Sequence, residues 1–570
     1  MNRRQLLGLS TLKSSKEGDP LKQAPIQVRI EPEMNVQLPT DITIASSGLS
    51  TYSGAWDTPQ VTHLLRRCTF GFNWQQLQTV KNMNMVDTVD MLLNVSSTAP
   101  NPPVNNYNST QYTDPDIPFG QTWINAPIGD GQSNGYRVGS YKSWFMGQMF
   151  DEQLSIREKM VWFWHNHLVT DTNTVQDARY AYKYNALLRK SIFGNFKQLI
   201  KDITIDPAML RYLNGYANTK AAPDENYGRE LMELFTLGKG ADSQYTEDDV
   251  KAAARVLTGW ADNYLTIDSL FIPNRHDTID KQFSSFFNNT KITGKSGVNG
   301  ADETDELIEM IFTKENVIAK FIVRKLYRYF VYYVIDTDVE NNIIVPLANQ
   351  FKTNWEIKPV LETLLKSEHF YDSLNMACYI KNPIDFFGNY IKQFNVKIPN
   401  KDIAIQYQFW YLLGFVSSIV AMDPGDPPNV SGWQAYYQTP QYYELWINTD
   451  TITKRGQYAD YFNYSGYSFM GEILKIDHIA FVDSLPKPEN PTELIDDICT
   501  LFFQLNLDAA RKNDIKVTSL LSGQVSDHYW TDLWNSYKTN PTDTTIENMV
   551  ISRLQLLFYF LTNQAEYHLA

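Results

Sequence analysis

Cysteine is scarce in this chain of 570 residues. Cys68, Cys378 and Cys499 are the three it has, far apart and with no CxxC pair. A disulfide framework and a cysteine-based zinc site are thereby excluded as organising themes. Long apolar runs are missing too. None approaches the roughly 18 residues that a membrane-spanning helix needs. Positive charge is in deficit: 50 Lys and Arg stand against 64 Asp and Glu, a formal net charge of −14, and no basic run reverses it locally. Phosphate backbones and anionic membrane are therefore poor partners. Alternating strand patterns are few and scattered, there is no βα alternation, and no internal repeat occurs.

What the chain does have is aromatic residues. Tyr, Trp and Phe make up 14%, with 34 Tyr and 13 Trp. Such side chains build large cores, and they also line surfaces that grip sugars or peptides. The length exceeds one ordinary hydrophobic core, which predicts a large domain with insertions, or two or three subdomains. The start, "MNRRQLLGLSTLKSSKEGDP", places Arg3-Arg4 ahead of Gln5-Leu6-Leu7, like a twin-arginine export signal. Its apolar part is only "LLGL" before Lys13 and Lys16, shorter than a signal peptide needs. Residues 1–50 read as a degenerate leader and flexible linker, and 51–570 as one large helical domain. The helical part from about residue 460 is a candidate subdomain. A working leader implies a periplasmic or extracellular protein, a non-functional one a cytoplasmic protein.

Helical periodicity begins at "DTPQVTHLLRRCTFG" (Asp57–Gly71). Residues 98–136, rich in Asn, Pro, Asp and Gly, read as a long surface loop. Ser155 and Glu158 form a capping-box pattern, so a helix is expected from Ser155, apolar all round at Met160–Trp164. A second box, Thr246–Asp249, precedes Val250, Ala253, Ala254 and Leu257 at helical spacing. Residues 303–331 read as two helices, and further helices are expected over 359–370 and at the C-terminus. The predicted class is mainly α: a large multi-helix domain with long irregular loops and few or no strands.

Several motifs fail on inspection. "TKITGKSG" (Thr290–Gly297) lacks the first glycine of a phosphate loop, where Asn289 stands, and no strand precedes it. "DTNTVQD" (Asp171–Asp177) begins like a calcium loop but has Gln176 at the turn position and Tyr182 at the twelfth. Three polar clusters in apolar or helical text remain. The first is "HNH", His165-Asn166-His167, with Asp171. On a continuous helix, residues two apart point about 200° away from each other, so His165 and His167 face one ion only if the helix ends near Trp164. Otherwise they are core histidines bonded to backbone or carboxylate. The second is "PDENYGRELMELFTLG" (Pro223–Gly238), where Glu225, Arg229, Glu230 and Glu233 lie on a helix whose second half is nearly all apolar. Carboxylates there are either paired by Arg229 or put to chemical use. The third is "HDTIDK" (His276–Lys281), with Asp277 beside the histidine.

Through these stretches, together with "HLLRRCTFGF" (His63–Phe72), "FGNFKQLIKDITIDPAMLRYLNG" (Phe193–Gly215), "YTEDDVKAAARVLTGW" (Tyr245–Trp260) and "PPNVSGW" (Pro427–Trp433), the chain resembles a large bacterial family, the domain of unknown function 1800 (DUF1800) family. The resemblance implies export. It also implies an association with a second exported family similar to sulfatases and alkaline phosphatases, and hence with extracellular polysaccharide or sulfated glycan. This chain departs from the family in having Asp224 where Asn is common, and Phe235 where His is common.

Two functions follow. In the first the protein is an exported metal-dependent enzyme, a hydrolase or an oxidative enzyme. His165, His167, His276 and Asp277 hold one divalent transition metal (Zn, Mn or Fe), and Glu225, Arg229, Glu230 and Glu233 form the catalytic set. This requires the three clusters to converge. In the second it is a non-catalytic helical binding or assembly protein for glycan or for a sulfatase-like exported protein. The polar clusters are then buried struts, and Trp433, Tyr436 and Tyr437 are the binding surface, which requires exposed aromatic faces there.

Overall fold

The computed structural model describes residues 45–570, apart from Ser97 and Glu152. The Arg3-Arg4 start lies outside the described residues. Helices carry most of the regular structure among the described residues, and strands there are confined to three antiparallel pairs. The protein is mainly α. Trp260–Asn263 pairs with Asp268–Phe271, Lys281–Gln282 with Lys291–Ile292, and Tyr467–Phe469 with Glu472–Leu474. The first two pairs flank His276, so these few strands bear on the third polar cluster.

Helix starts are set by short polar side chains that answer free N–H groups. Asn73 Oδ1 accepts from the Gln76 N–H at 2.9 Å, and Asp402 Oδ1 from the Ile405 N–H at 2.9 Å. The Thr246 box forms as its spacing predicts: the Thr246 N–H donates to Asp249 at 2.7 Å, and the Asp249 N–H donates to Thr246 Oγ1 at 3.3 Å. The box expected at Ser155 does not form. Its helix runs Arg157–His167, and Glu158 is drawn instead into a two-pronged ion pair with Arg189. A carboxylate matched by a guanidinium fork outcompetes a single backbone N–H.

The Arg157–His167 helix lies at the centre, and all of it except Arg157 and Asn166 is buried. This is the expected form of a helix without a polar face. The Gly131–Asp151 and Ile403–Ile419 helices are close neighbours of one another, and Asp302–Phe312 and Glu315–Phe330 are the two helices that the 303–331 pattern contains. The predicted long loop ends at Gly131 rather than 136. It is held in place by Asp114, buried, which takes both Arg137 Nε at 3.0 Å and Nη2 at 2.9 Å. The described residues group as one compact unit. Gln504 ties its C-terminal part to the Thr58–Cys68 helix, accepting from Arg66 Nη1 at 2.7 Å. Among the described residues no helix is long and apolar enough to cross a membrane.

Candidate functional site

The first cluster is decided by where its helix stops. Helical geometry continues through His167, so the two rings diverge. His165, 1% exposed, sits among Phe145, Trp162, Tyr184 and Trp433, and neither ring nitrogen has a partner among the described residues. Burial pushes its pKa down to about 4, against a weaker upward pull from Asp426. His167 turns the other way, among Phe163, Phe196, Phe235 and Phe321, with Nε2 3.1 Å from the Phe235 carbonyl oxygen. Burial holds it well below the usual histidine range. Asp171 faces neither ring: it caps the next short helix through the Thr174 N–H at 2.8 Å.

The second cluster splits along its helix. Asn226–Glu230 is α-helical, and Leu231–Thr236 is a π-helix, in which Leu237 N–H reaches back to the Met232 carbonyl. The widened turn leaves the Phe235 carbonyl facing His167. Arg229 bridges Glu225 at 3.1 Å and Glu247 at 2.7 Å on a largely exposed face, and Glu233 pairs with Lys239. Of the four residues assigned to catalysis, Glu230 alone has no ion-pair partner among the described residues. Burial, reinforced by the charge of Glu233, raises its carboxyl pKa.

The third cluster contains a residue that the sequence pattern does not mark. Glu303, on the Asp302–Phe312 helix, has no exposed surface. It takes His276 Nε2 at 3.0 Å, the Lys281 ammonium at 2.5 Å and the Lys295 N–H at 2.6 Å. His276 Nδ1 lies 2.8 Å from the Thr258 carbonyl. Asp277 belongs to a different pair: its Oδ2 accepts from Arg255 Nε at 2.7 Å. That guanidinium holds its carboxyl below the usual range, although burial works in the opposite direction.

The clusters therefore do not build one metal centre. His165 and His276 share no neighbouring ring and no hydrogen-bond partner. Both nitrogens of His276 are engaged, His167 faces a carbonyl and four phenylalanines, and Asp277 is neutralised by Arg255. Among the described residues no group of three or more His, Cys, Asp or Glu side chains is placed to hold a metal ion. The residues expected to bind Zn, Mn or Fe together do not fit that role.

The aromatic segment is corrected in the same way. Trp433 is 2% exposed and stacks on Trp162 at 4.7 Å, and its N–H donates to Asn166 Oδ1 at 2.9 Å. Tyr436 packs on Tyr329 and Trp446, and Tyr437 alone of the three is exposed. Trp433 belongs to the core and Tyr436 is half-buried, so the three do not present one exposed aromatic face.

An open groove of about 520 Å³ lies elsewhere, between the 95–100 segment and the Ala178–Ser191 helix. Trp144, Tyr182 and Phe193 supply its aromatic surface, and Arg157, Arg189 and Lys190 its charge. Arg189 lies over the Trp144 ring at 5.0 Å while holding Glu158, and Lys190 is exposed with no ion-pair partner among the described residues. No carboxylate, His or Cys is among the described residues that line it. In sequence these residues are dispersed over 95–194, and the adjacent Arg189-Lys190 is the one local signal that could have pointed here. No curated protein and no solved structure matches the chain. A family model does match it, over residues 63–568, and the chain belongs to that family, Protein of unknown function (DUF1800).

Proposed function

We propose that this is a helical binding protein that takes an anionic glycan, of the sulfated or uronic-acid class, in the groove beside Arg189. The carrying observation is the make-up of that groove: aromatic surface and three cationic side chains, with no carboxylate, His or Cys among the described residues that line it. Aromatic rings meet the apolar faces of sugars, and guanidinium and ammonium groups meet sulfate or carboxylate. General acid–base hydrolysis needs a titratable group at hydrogen-bond reach of the scissile bond, which this lining does not supply. The same reading places the protein outside the cytoplasm, where such glycans occur, in keeping with the Arg3-Arg4 start.

Calorimetric titration of the full chain with a sulfated oligosaccharide and its desulfated counterpart tests this. The sulfated form is expected to bind with an affinity that falls as salt rises. Lys190→Glu should weaken it by about 5- to 10-fold, the effect of reversing one exposed charge. Equal binding of the desulfated form would remove the anionic part of the reading, and no binding of either would end it. One observation favours a second, hydrolytic reading: Glu230, half-buried beside Glu233, is held protonated to higher pH than an ordinary carboxyl. Turnover of a glycan or ester that is lost in Glu230→Gln but kept in Lys190→Glu would favour that reading.

A further inference from the structure

Five cationic side chains gather in the interior, away from the groove: Arg66, Arg67, Lys159, Lys381 and Arg455, none more than 3% exposed. Buried charge persists where it is paired. Among the described residues one of the five has a carboxylate partner: Lys159 Nζ donates to Asp385 Oδ1. Arg66 gives Nη1 to Gln504 and Nη2 to the Leu501 carbonyl at 2.9 Å, and Lys381 gives Nζ to the Tyr567 carbonyl at 2.6 Å. Arg67 gives only Nη2, at 3.3 Å to the Asn375 carbonyl and 3.3 Å to Cys378 Sγ. Arg455 gives only Nη2, at 3.4 Å to the Trp446 carbonyl. The Nε of Arg66 and the Nε and Nη1 of both Arg67 and Arg455 are buried with no partner among the described residues. Unsatisfied donors on charged groups are the costliest kind of buried polar atom. Burial already pulls Arg66 and Arg455 down to about 9 and Lys381 well below its usual range.

A small cavity of about 10 Å³ lies against Arg66, Arg67, Lys159 and Asp385, with Tyr329, Tyr379 and Asn382 also in its wall. That volume is the space open to the centre of a water-sized sphere, so one particle of water or halide size fits. Ala570 lines it too, and even with its α-carboxylate counted the cations outnumber the anions. A water would accept two hydrogen bonds here but bring no charge. A tetrahedral oxyanion is too large. The geometry points to a buried site for one halide-sized monovalent anion, chloride in ordinary solution, bound through the open donors of Arg67 and Arg66 beside Lys159. The anion joins the Thr58–Cys68 and Arg157–His167 helices to the Pro383–Gln393 helix, whose Asp385 is the one carboxylate side chain lining the cavity among the described residues. It therefore stabilises the fold and leaves the groove untouched.

Thermal unfolding of the full chain at constant ionic strength tests this, with gluconate replaced stepwise by chloride or bromide. A saturable rise in Tm is expected, roughly 2 °C at a hundredfold excess over Kd, with sulfate giving only the linear, non-saturating rise of an excluded salt. In Arg67→Gln the halide-dependent rise should vanish. If that variant does not fold, crystals of the wild type soaked in bromide give the answer: an anomalous peak within hydrogen-bond reach of Arg67 Nη1 is expected. Equal Tm in gluconate and chloride, with no peak in the cavity, would overturn the assignment in favour of water. A rise that survives in folded Arg67→Gln would overturn it as well, as a general salt effect.

Discussion

Replacing Glu303 by glutamine removes one charge from a site with no exposed surface and leaves Lys281, also unexposed, facing a neutral amide. Lys281 then keeps the Asp277 carbonyl and the new amide oxygen as acceptors but has lost its counter-charge. Breaking one half of a buried ion pair costs about 3–5 kcal/mol. A chain of this length unfolds with an entropy near ~1.2 kcal/mol per kelvin, so Tm should fall by about 2.5–4 °C. A scan at pH 7 reads this directly. Lys281→Met/Glu303→Leu, which removes both charges, should recover most of the loss, because the desolvation penalty goes with the pair. The pH dependence has a definite sign. Burial pushes the Glu303 carboxyl up, but the bonds from His276, Lys281 and the Lys295 amide outweigh it and hold the pKa below the ordinary 4.5. A depressed carboxyl contributes stability that is present above its unfolded value and lost as pH falls through its folded value. The gap between wild type and Glu303→Gln should therefore close in acid, below pH 4.5. An unchanged Tm at pH 7, or a gap independent of pH, would refute the assignment of Glu303 as the anchor of this cluster.

Other perturbations have equally definite signs. His165→Phe should leave Tm unchanged or raise it by about 1 °C, since two unpartnered nitrogens are exchanged for an apolar ring of similar shape; a large loss of stability, or of bound metal by elemental analysis, would contradict the aromatic-cage account. Burial lowers His165 and His478 to about 4 and His568 to about 3. Their contribution is complete above the ordinary 6.5 and drains as pH falls toward those values, so acid unfolding should begin below pH 6.5 and His165→Phe/His478→Phe should flatten the slope. Gly432→Ala places a Cβ 2.3 Å from Asn166 Oδ1 and 2.6 Å from its carbonyl oxygen, at a φ of +89°. A loss of about 2 kcal/mol or more is expected, read as a drop in Tm of roughly 2 °C.

Local signals in the sequence carried as far as local physics does. The Thr246–Asp249 box and the 250–257 stripe form because both partners lie within one turn of each other. The division of 303–331 into two helices was legible for the same reason. Ser155–Glu158 has the identical spacing and does not cap, because Arg189, 31 residues on, claims the carboxylate. The orientation of His165 and His167 hinged on whether one helix ended three residues earlier, which packing against the Phe235 carbonyl and Trp433 decides. Glu303 looks like an ordinary first-turn acid of its helix. Nothing within a turn of it announces His276, 27 residues away. Arg66 and Arg67 likewise read as basic residues closing a helix, where cations are favoured. Their burial is set by Gln504 and by the segment from Asn375 to Asp385.

The stretches that carry the family resemblance turn out to hold one another. "FWHNHL" meets "PPNVSGW" through Asn166 and the Trp433 N–H, and meets "ELFTLG" through His167 and the Phe235 carbonyl. "VLTGW" clasps "HDTIDK" through Thr258, which takes the Asp277 N–H at 2.8 Å and offers its carbonyl to His276. "HLLRRCTFGF" packs backbone to backbone on the Pro383–Gln393 helix, where a Cβ on Gly71 would fall 2.8 Å from Asn389 Cα. A polar residue in apolar text has two origins, a reaction or a buried bond, and composition alone does not separate them. Contact partners do. In these motifs a side-chain or backbone partner accounts for Asn166, His167, His276 and Asp277, while His165, caged by aromatic rings, has neither nitrogen bonded among the described residues, so the resemblance specifies chiefly how the chain packs. Binding then has to be sought where charge is left over: at Lys190 on the groove, and at Arg67 and Arg455 in the interior, whose open donors no neighbouring side chain answers.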